Sequence, residues 1–165
     1  MNVRTCVLIV IIGFLTISAN TNEPRYTVGI NPGDRAPGIK SLGNESDLSF
    51  QNHSGRYTLL CFWAAYDADS RVRNVQLSKE VNKWDSDKIV MYSVSCDKSE
   101  AVFEGTMRTD NLSGTKQFNE PDSKSALYRQ YKMDRGLKAY LINDKGVIVA
   151  VNLPPQKLAA YLERN

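Results

Sequence analysis

The sequence predicts one α/β domain, a mixed β-sheet covered by helices on both sides. Three observations predict it. Two continuous apolar runs, YTLLCFW over residues 57–63 and IVMYSV over residues 89–94, have the pattern of strands buried on both faces. Segments with helical character follow each run, and strands alternating with helices build a largely parallel sheet. The turn Asn143-Asp144-Lys145-Gly146 then joins two further apolar runs and closes the order on a hairpin.

Composition sets the outer limits. The 165 residues are 42% hydrophobic and 24% charged, which suits one globular domain with a proper core. A net charge of +3, dispersed along the chain, is too small for a nucleic-acid footprint. The single histidine, His53, has no cysteine cluster near it, so no zinc or copper site and no cofactor is expected. The three cysteines, Cys6, Cys61 and Cys96, do not form a disulfide framework. Disorder, collagen, solenoid repeats and a multi-span membrane protein are excluded.

Each element follows in order. Residues 1–19 place Arg4 before an apolar run from Cys6 to Ile17, followed by Ser18 and Ala19. That is the layout of a secretory signal peptide, with cleavage expected close to Ala19. An uncleaved signal anchor is the competing reading. The run is short for a span, which needs roughly 20 apolar residues, so no integral membrane domain is expected after cleavage. Cys6 precedes the run and is not placed as a lipoprotein acceptor. Residues 20–35, rich in Asn, Pro and Gly, read as a linker, and the domain proper is assigned to residues 36–165.

Within that domain, residues 36–42 read as a first edge element, and residues 47–50 can form a short strand. A polar turn holding His53 and Gly55 leads into the 57–63 strand. After residues 67–70 a helical pattern runs to Trp84, with Val72 and Val75 in one short stripe continued by Leu77, Val81 and Trp84. Residues 99–110 form a second helix around Val102, Phe103 and Met107, with Ser99 as its cap. Residues 111–122 look irregular, although 115–118 can extend. A short helix over 123–133 buries Leu127 and Tyr131. The hairpin strands cover 138–142 and 147–151. Pro154 and Pro155 open a last helix with Leu158, Tyr161 and Leu162 on its inner face.

Three strings in this order resemble the thioredoxin fold, in particular the TlpA/ResA-type and AhpC/TSA-like periplasmic thioredoxin-like proteins. They are RYTLLCFWAAYDADSR, YSVSCD and YLINDKGVIVA, and the lead-in PGDRAP is similar as well. The likeness covers roughly residues 30 to 165, a domain's length. It implies a central sheet with helices on both faces and, in the family, thiol–disulfide exchange at W-C-x-x-C. Here Tyr66 stands where the family has Trp, Asp67 at the first cysteine, Asp69 near the usual Pro, and Ser70 at the second cysteine. Leu137 stands near the family's cis-proline, and a cis peptide before a non-proline residue costs ~3 kcal/mol, so a trans loop is expected. Cys61 occupies the position of a buried Asp. Exchange needs an attacking thiolate and a resolving thiol, and a carboxylate and a hydroxyl supply neither.

The residues that remain have two readings each. Asp67 and Asp69 could be an acid–base pair, but with Ser70 they sit where a helix begins. Its free N–H groups and positive dipole end favour capping, and a carboxylate stabilised in its charged form is a weak base. Ser70 as a nucleophile would need His53, the only imidazole, and nothing places His53 there. Cys61 reads as a small core residue. Cys96 falls at the C-terminal end of its strand, where open α/β sheets bind ligands, or it packs there. A Cys61–Cys96 disulfide would require neighbouring strands within about 7 Å. Of Trp63, Tyr66 and Trp84, the two tryptophans suit the core and Tyr66 suits exposure.

The resulting expectation is an exported thioredoxin-like domain that binds an envelope protein without dithiol chemistry, and binds no nucleic acid. The binding edge is Tyr66, Asp67, Ala68, Asp69, Ser70 and Arg71 with the Gly136-Leu137 loop. The alternative is residual oxidoreductase chemistry at Cys96, with or without Cys61. A third reading is an envelope component whose old site has no role.

Overall fold

The computed structural model describes residues 25–40, 42, 47–52, 54–112 and 116–163; the expected signal peptide, residues 20–24 of the expected linker and His53 lie outside them. Five strands form one sheet: β1 (Tyr57–Trp63), β2 (Ile89–Ser95), β3 (Lys116–Asn119), β4 (Ala139–Ile142) and β5 (Ile148–Val151), in the spatial order β3-β2-β1-β4-β5. The β1–β2 and β2–β3 pairs are parallel, and β4 and β5 run antiparallel to their neighbours. This is the expected α/β architecture. The α-helices among the described residues are α1 (Ala68–Val81), α2 (Glu100–Thr109), α3 (Ala126–Gln130) and α4 (Ala159–Leu162).

The period-two alternation of β1 decides what lies on each face. Leu60 and Phe62 join Tyr140, Ile142 and Tyr131 in a core under α3 and the N-terminal segment. Leu59 and Cys61 point the other way, onto Leu77 and Val81 of α1 and Leu162 of α4. Trp63 makes a third cluster with Phe103 and Leu112 beside α2. The hairpin closes as its sequence predicts. Asn143 Oδ1 accepts from the N–H groups of Lys145 and Val147, and Gly146 takes the positive φ of 76° that the turn requires.

Several elements differ from expectation, each for a local reason. Among the described residues, 36–40, 42 and 47–50 form no strand; Ile39 and Leu48 meet at an antiparallel bridge. Residues 33–36, expected to span the end of a linker, instead pair with the hairpin. Gly33 N donates to Ile148 O and Ile148 N to Asp34 O, both at 2.8 Å. Helix α1 stops at Val81, capped by Asn82, short of Trp84. Its buried face is Ser70, Asn74, Leu77, Ser78 and Val81, while Val72 is exposed. Small polar residues there let the helix lie close to the sheet, and Ser93 Oγ donates to Asn74 Oδ1 at 2.8 Å. The expected 123–133 helix is shorter because Lys132 adopts a left-handed φ of 49°. The last helix is split into a 3-10 turn over Pro155–Lys157 and α4. No helix among the described residues is long and apolar enough to cross a membrane.

Candidate functional site

Parallel pairing brings the C-terminal ends of β1, β2 and β3 level, with Trp63 beside Ser95 and Ser95 beside Asn119. The loops that leave these three strands therefore share one end of the sheet, the usual ligand end of an open α/β sheet.

The first loop turns tightly. Asp67 N donates to Ala64 O at 3.1 Å, and Tyr66, at the tip, is thrown outward with 73% of its surface exposed. Asp67 has an extended backbone, and its Oδ1 accepts from Ser70 N at 3.2 Å, so Asp67 is the N-cap of α1. Asp69 lies in the first turn and faces solvent. Ser70 is 0% exposed. Its Oγ donates to Asp67 O at 3.1 Å and accepts from Ala64 N at 3.3 Å, which knits the turn together from beneath. The expectation that Ser70 belongs to an accessible binding edge is thus corrected: its hydroxyl is consumed by the backbone.

The second loop supplies a residue that sequence reasoning did not single out. Asp97 is buried, and its carboxylate accepts from Ala65 N at 3.0 and 3.1 Å and from Ser95 Oγ at 2.8 Å. It braces the Ala64–Asp67 turn from the neighbouring strand. An acidic residue directly after a buried strand, beside the turn's own strand, was the available signal.

Arginines hold the flanks. Arg71 forms a bidentate pair with Asp110 at the end of α2, both contacts at 2.7 Å. Arg73 donates to Leu137 O at 2.9 Å. Leu137 is itself buried in the core, which corrects its assignment to the binding edge; the exposed member of that loop is Gly136. The peptide before Leu137 is trans.

The two described thiols are separated by the sheet. Cys61 lies in the cluster under α1, and Cys96 in the cluster on the other face, where its Sγ contacts Met133 Sδ at 3.5 Å. Both are free and buried, so the envisaged Cys61–Cys96 disulfide is not formed. Burial pushes Cys61 from 9.0 up to about 12. Burial, reinforced by the negative charges of Asp97 and Glu120, does the same to Cys96. Neither is a thiolate near neutral pH. Trp63 is wholly buried and Trp84 partly so, whereas Tyr66 is exposed. Among the described residues, no group of three His, Cys, Asp or Glu side chains is placed to hold a metal ion.

Comparison with known proteins follows this geometry. No protein-family model and no curated protein matches the sequence. Solved structures do. A thioredoxin-like protein from Parabacteroides distasonis is 50% identical, with a TM-score of 0.77 over 84% of this chain and 99% of that one. A thiol:disulfide interchange protein from a Bacteroides species is 23% identical, with a TM-score of 0.65 over 82% of this chain and 90% of that one. A thiol-disulfide oxidoreductase from Bacteroides fragilis is 24% identical, with a TM-score of 0.64 over 79% of this chain and 98% of that one. The last two speak for the fold alone. The identity and coverage of the first carry more, and on them the chain belongs to the thioredoxin-like proteins.

Proposed function

We propose that this chain is an exported thioredoxin-fold protein that binds a partner in the cell envelope and does not exchange disulfides. One observation carries the reading. The thiols at Cys61 and Cys96 are walled into opposite faces of the sheet and pushed up to about 12, while the turn at the strand ends is built from Asp67 and Ser70. A buried neutral thiol has neither the charge nor the access to attack a disulfide. What the turn does offer is a rigid platform. Tyr66, Asp67, Ala68 and Asp69 stand on a braced loop, with Arg71 fixed beside them. The same burial weighs against residual chemistry at Cys96.

Reduction of insulin disulfides by the purified protein tests this. No turnover above a thiol-blocked control is expected, and native protein should leave a thiol reagent unconsumed until denaturant is added. Turnover abolished by Cys96→Ser would overturn the reading. Export rests on the N-terminal sequence pattern. Mass spectrometry of the protein from its host should find a chain that begins near Asn20, and an intact N-terminus in the membrane fraction would establish an anchor instead.

A further inference from the structure

A groove that the Tyr66 turn does not share lies at the other end of the sheet. Strand β4 runs antiparallel to β1 with Ile142 beside Thr58, so the turn that follows Ile142 sits where β1 begins. The groove, of about 410 Å3, opens beside that turn, lined by Gly146, Gln51 and the segments that meet at the Ile39–Leu48 bridge. Buried Ile39 and Phe50 and the 67% exposed Val28 give it apolar walls. Its size suits a small molecule, and apolar walls with a few placed polar groups are what ligand sites offer.

The charged side chains along it are Arg35, Lys40 and Asp47, and they form no ion pair among the described residues. The antiparallel bridge of Ile39 with Leu48 sets Lys40 opposite Asp47, so those two charges offset each other. Arg35 is the charge left over. Its backbone is pinned: its N–H donates to Thr27 O at 2.8 Å, and its carbonyl accepts from Gly29 N at 3.0 Å. Its guanidinium lies over the Tyr26 ring, 5.5 Å from the centroid. Its Nε is buried and has no hydrogen-bond partner, a costly state for a charged donor. Arg71 shows what the same edge of a guanidinium does when met. Its Nε and Nη2 together grip the Asp110 carboxylate, both at 2.7 Å.

We propose that this groove binds a small monocarboxylate with an apolar body. The carboxylate oxygens accept from Nε and a terminal nitrogen of Arg35, and the body lies on Val28, Ile39 and Phe50. One uncompensated cation matches a single negative charge, and Asp47 disfavours a dianion such as a phosphate monoester. Stacking on Tyr26 and the pinned backbone hold Arg35 in place beforehand, so little freedom is lost on binding. The site is separate from the partner edge at Tyr66 and does not depend on it.

Octanoate is the probe, titrated into isotope-labelled protein isolated from its host. The Nε–H resonance of Arg35 should move as octanoate saturates. Octanamide, of the same shape but uncharged, should bind at least about tenfold more weakly. Calorimetry on an Arg35→Gln variant should show a loss of similar size, with an unchanged denaturation midpoint to verify that it folds. If the variant melts early, the Arg35 resonance of the unaltered protein decides alone. An unmoved resonance, equal binding of octanamide, or equal binding by a folded Arg35→Gln variant overturns the proposal. So does tighter binding of octyl phosphate, which would make this a phosphate site. Tighter binding of an acetylated peptide ending in leucine overturns it too, because a polypeptide terminus would then be the occupant. The reading at Tyr66 fails on a different measurement, thiol-dependent insulin reduction.

Discussion

Replacing Asp67, Asp69 and Ser70 one at a time by alanine should separate three physical roles within four residues. Asp67→Ala removes the side-chain acceptor for Ser70 N, a contribution of ~1 kcal/mol, and a charge at the positive end of α1 worth a further ~0.3–1 kcal/mol. Ser70→Ala removes a hydroxyl that is wholly buried and accepts from Ala64 N. A buried N–H left without its acceptor costs roughly 1–3 kcal/mol, so this change should be at least as damaging as the first. Asp69→Ala loses only the dipole term, and the better helix propensity of Ala offsets it by a few tenths, leaving a change near zero. With a urea slope of about 2 kcal/mol/M, the midpoint should fall by about 0.8 M for Asp67→Ala and about 1 M for Ser70→Ala. It should barely move for Asp69→Ala. Fluorescence of the buried Trp63 follows the transition, and the slope should stay constant. If Asp69→Ala proves the most destabilising, or Ser70→Ala leaves the midpoint in place, the account of the turn is wrong.

Other outcomes follow from the same contacts. Stability should fall as pH rises from about 9 toward 12, because Cys61 and Cys96 keep their protons in the folded state while the unfolded thiols lose theirs near 9.0. The unfolded state then binds fewer protons than the native one, and Tyr140, raised by burial to about 12, acts in the same direction above 10. A Cys61→Ala/Cys96→Ala variant should show a shallower fall in a pH series of melts. Tyr131→Phe strips the donor that meets Pro37 O at 2.6 Å in the core, and should lower stability by ~1–2 kcal/mol in urea. A double-mutant cycle on Arg71 and Asp110 should return a coupling of ~0.5–1 kcal/mol that shrinks with added salt, since Arg71 is about a third exposed.

Much of this fold is written in apolar runs and turn chemistry, and those parts are legible. The strand YTLLCFW has no polar interruption, so only a strand covered on both faces can accommodate it, and β1 is buried throughout. The Asn-Asp-Lys-Gly turn names its own conformation. Helix α1 shows where such reading stops. Its inward face is half polar because Ser70, Asn74 and Ser78 find partners or small gaps that only the folded sheet provides, so the apolar Val72 misleads. Strand β3, KQFN, carries no alternation and exists because β2 has a free flank to pair with. At the strand ends, the sequence alone suggests that Asp67, Asp69 and Ser70 cap a helix but cannot divide the work between them. That division depends on hydrogen-bond directions three residues long, and the brace from Asp97 spans thirty-two positions.

The pairing of residues 33–36 with the hairpin also covers the start of one edge of the sheet. Strand β5 is the last in its sheet, and an outermost strand offers a row of unsatisfied donors and acceptors on which another chain can grow. Here Gly33, Asp34 and Ala36 occupy the beginning of that row, over Gly146 and Ile148, like a strap. Trimming within the polar stretch ahead of residue 26 leaves the strap in place, whereas a cut just after Ala36 would strip it away. The N-terminal stretch that reads as a spacer is therefore also a guard. Shortening the chain past Ala36 is expected to bare the start of β5 to pairing with another strand.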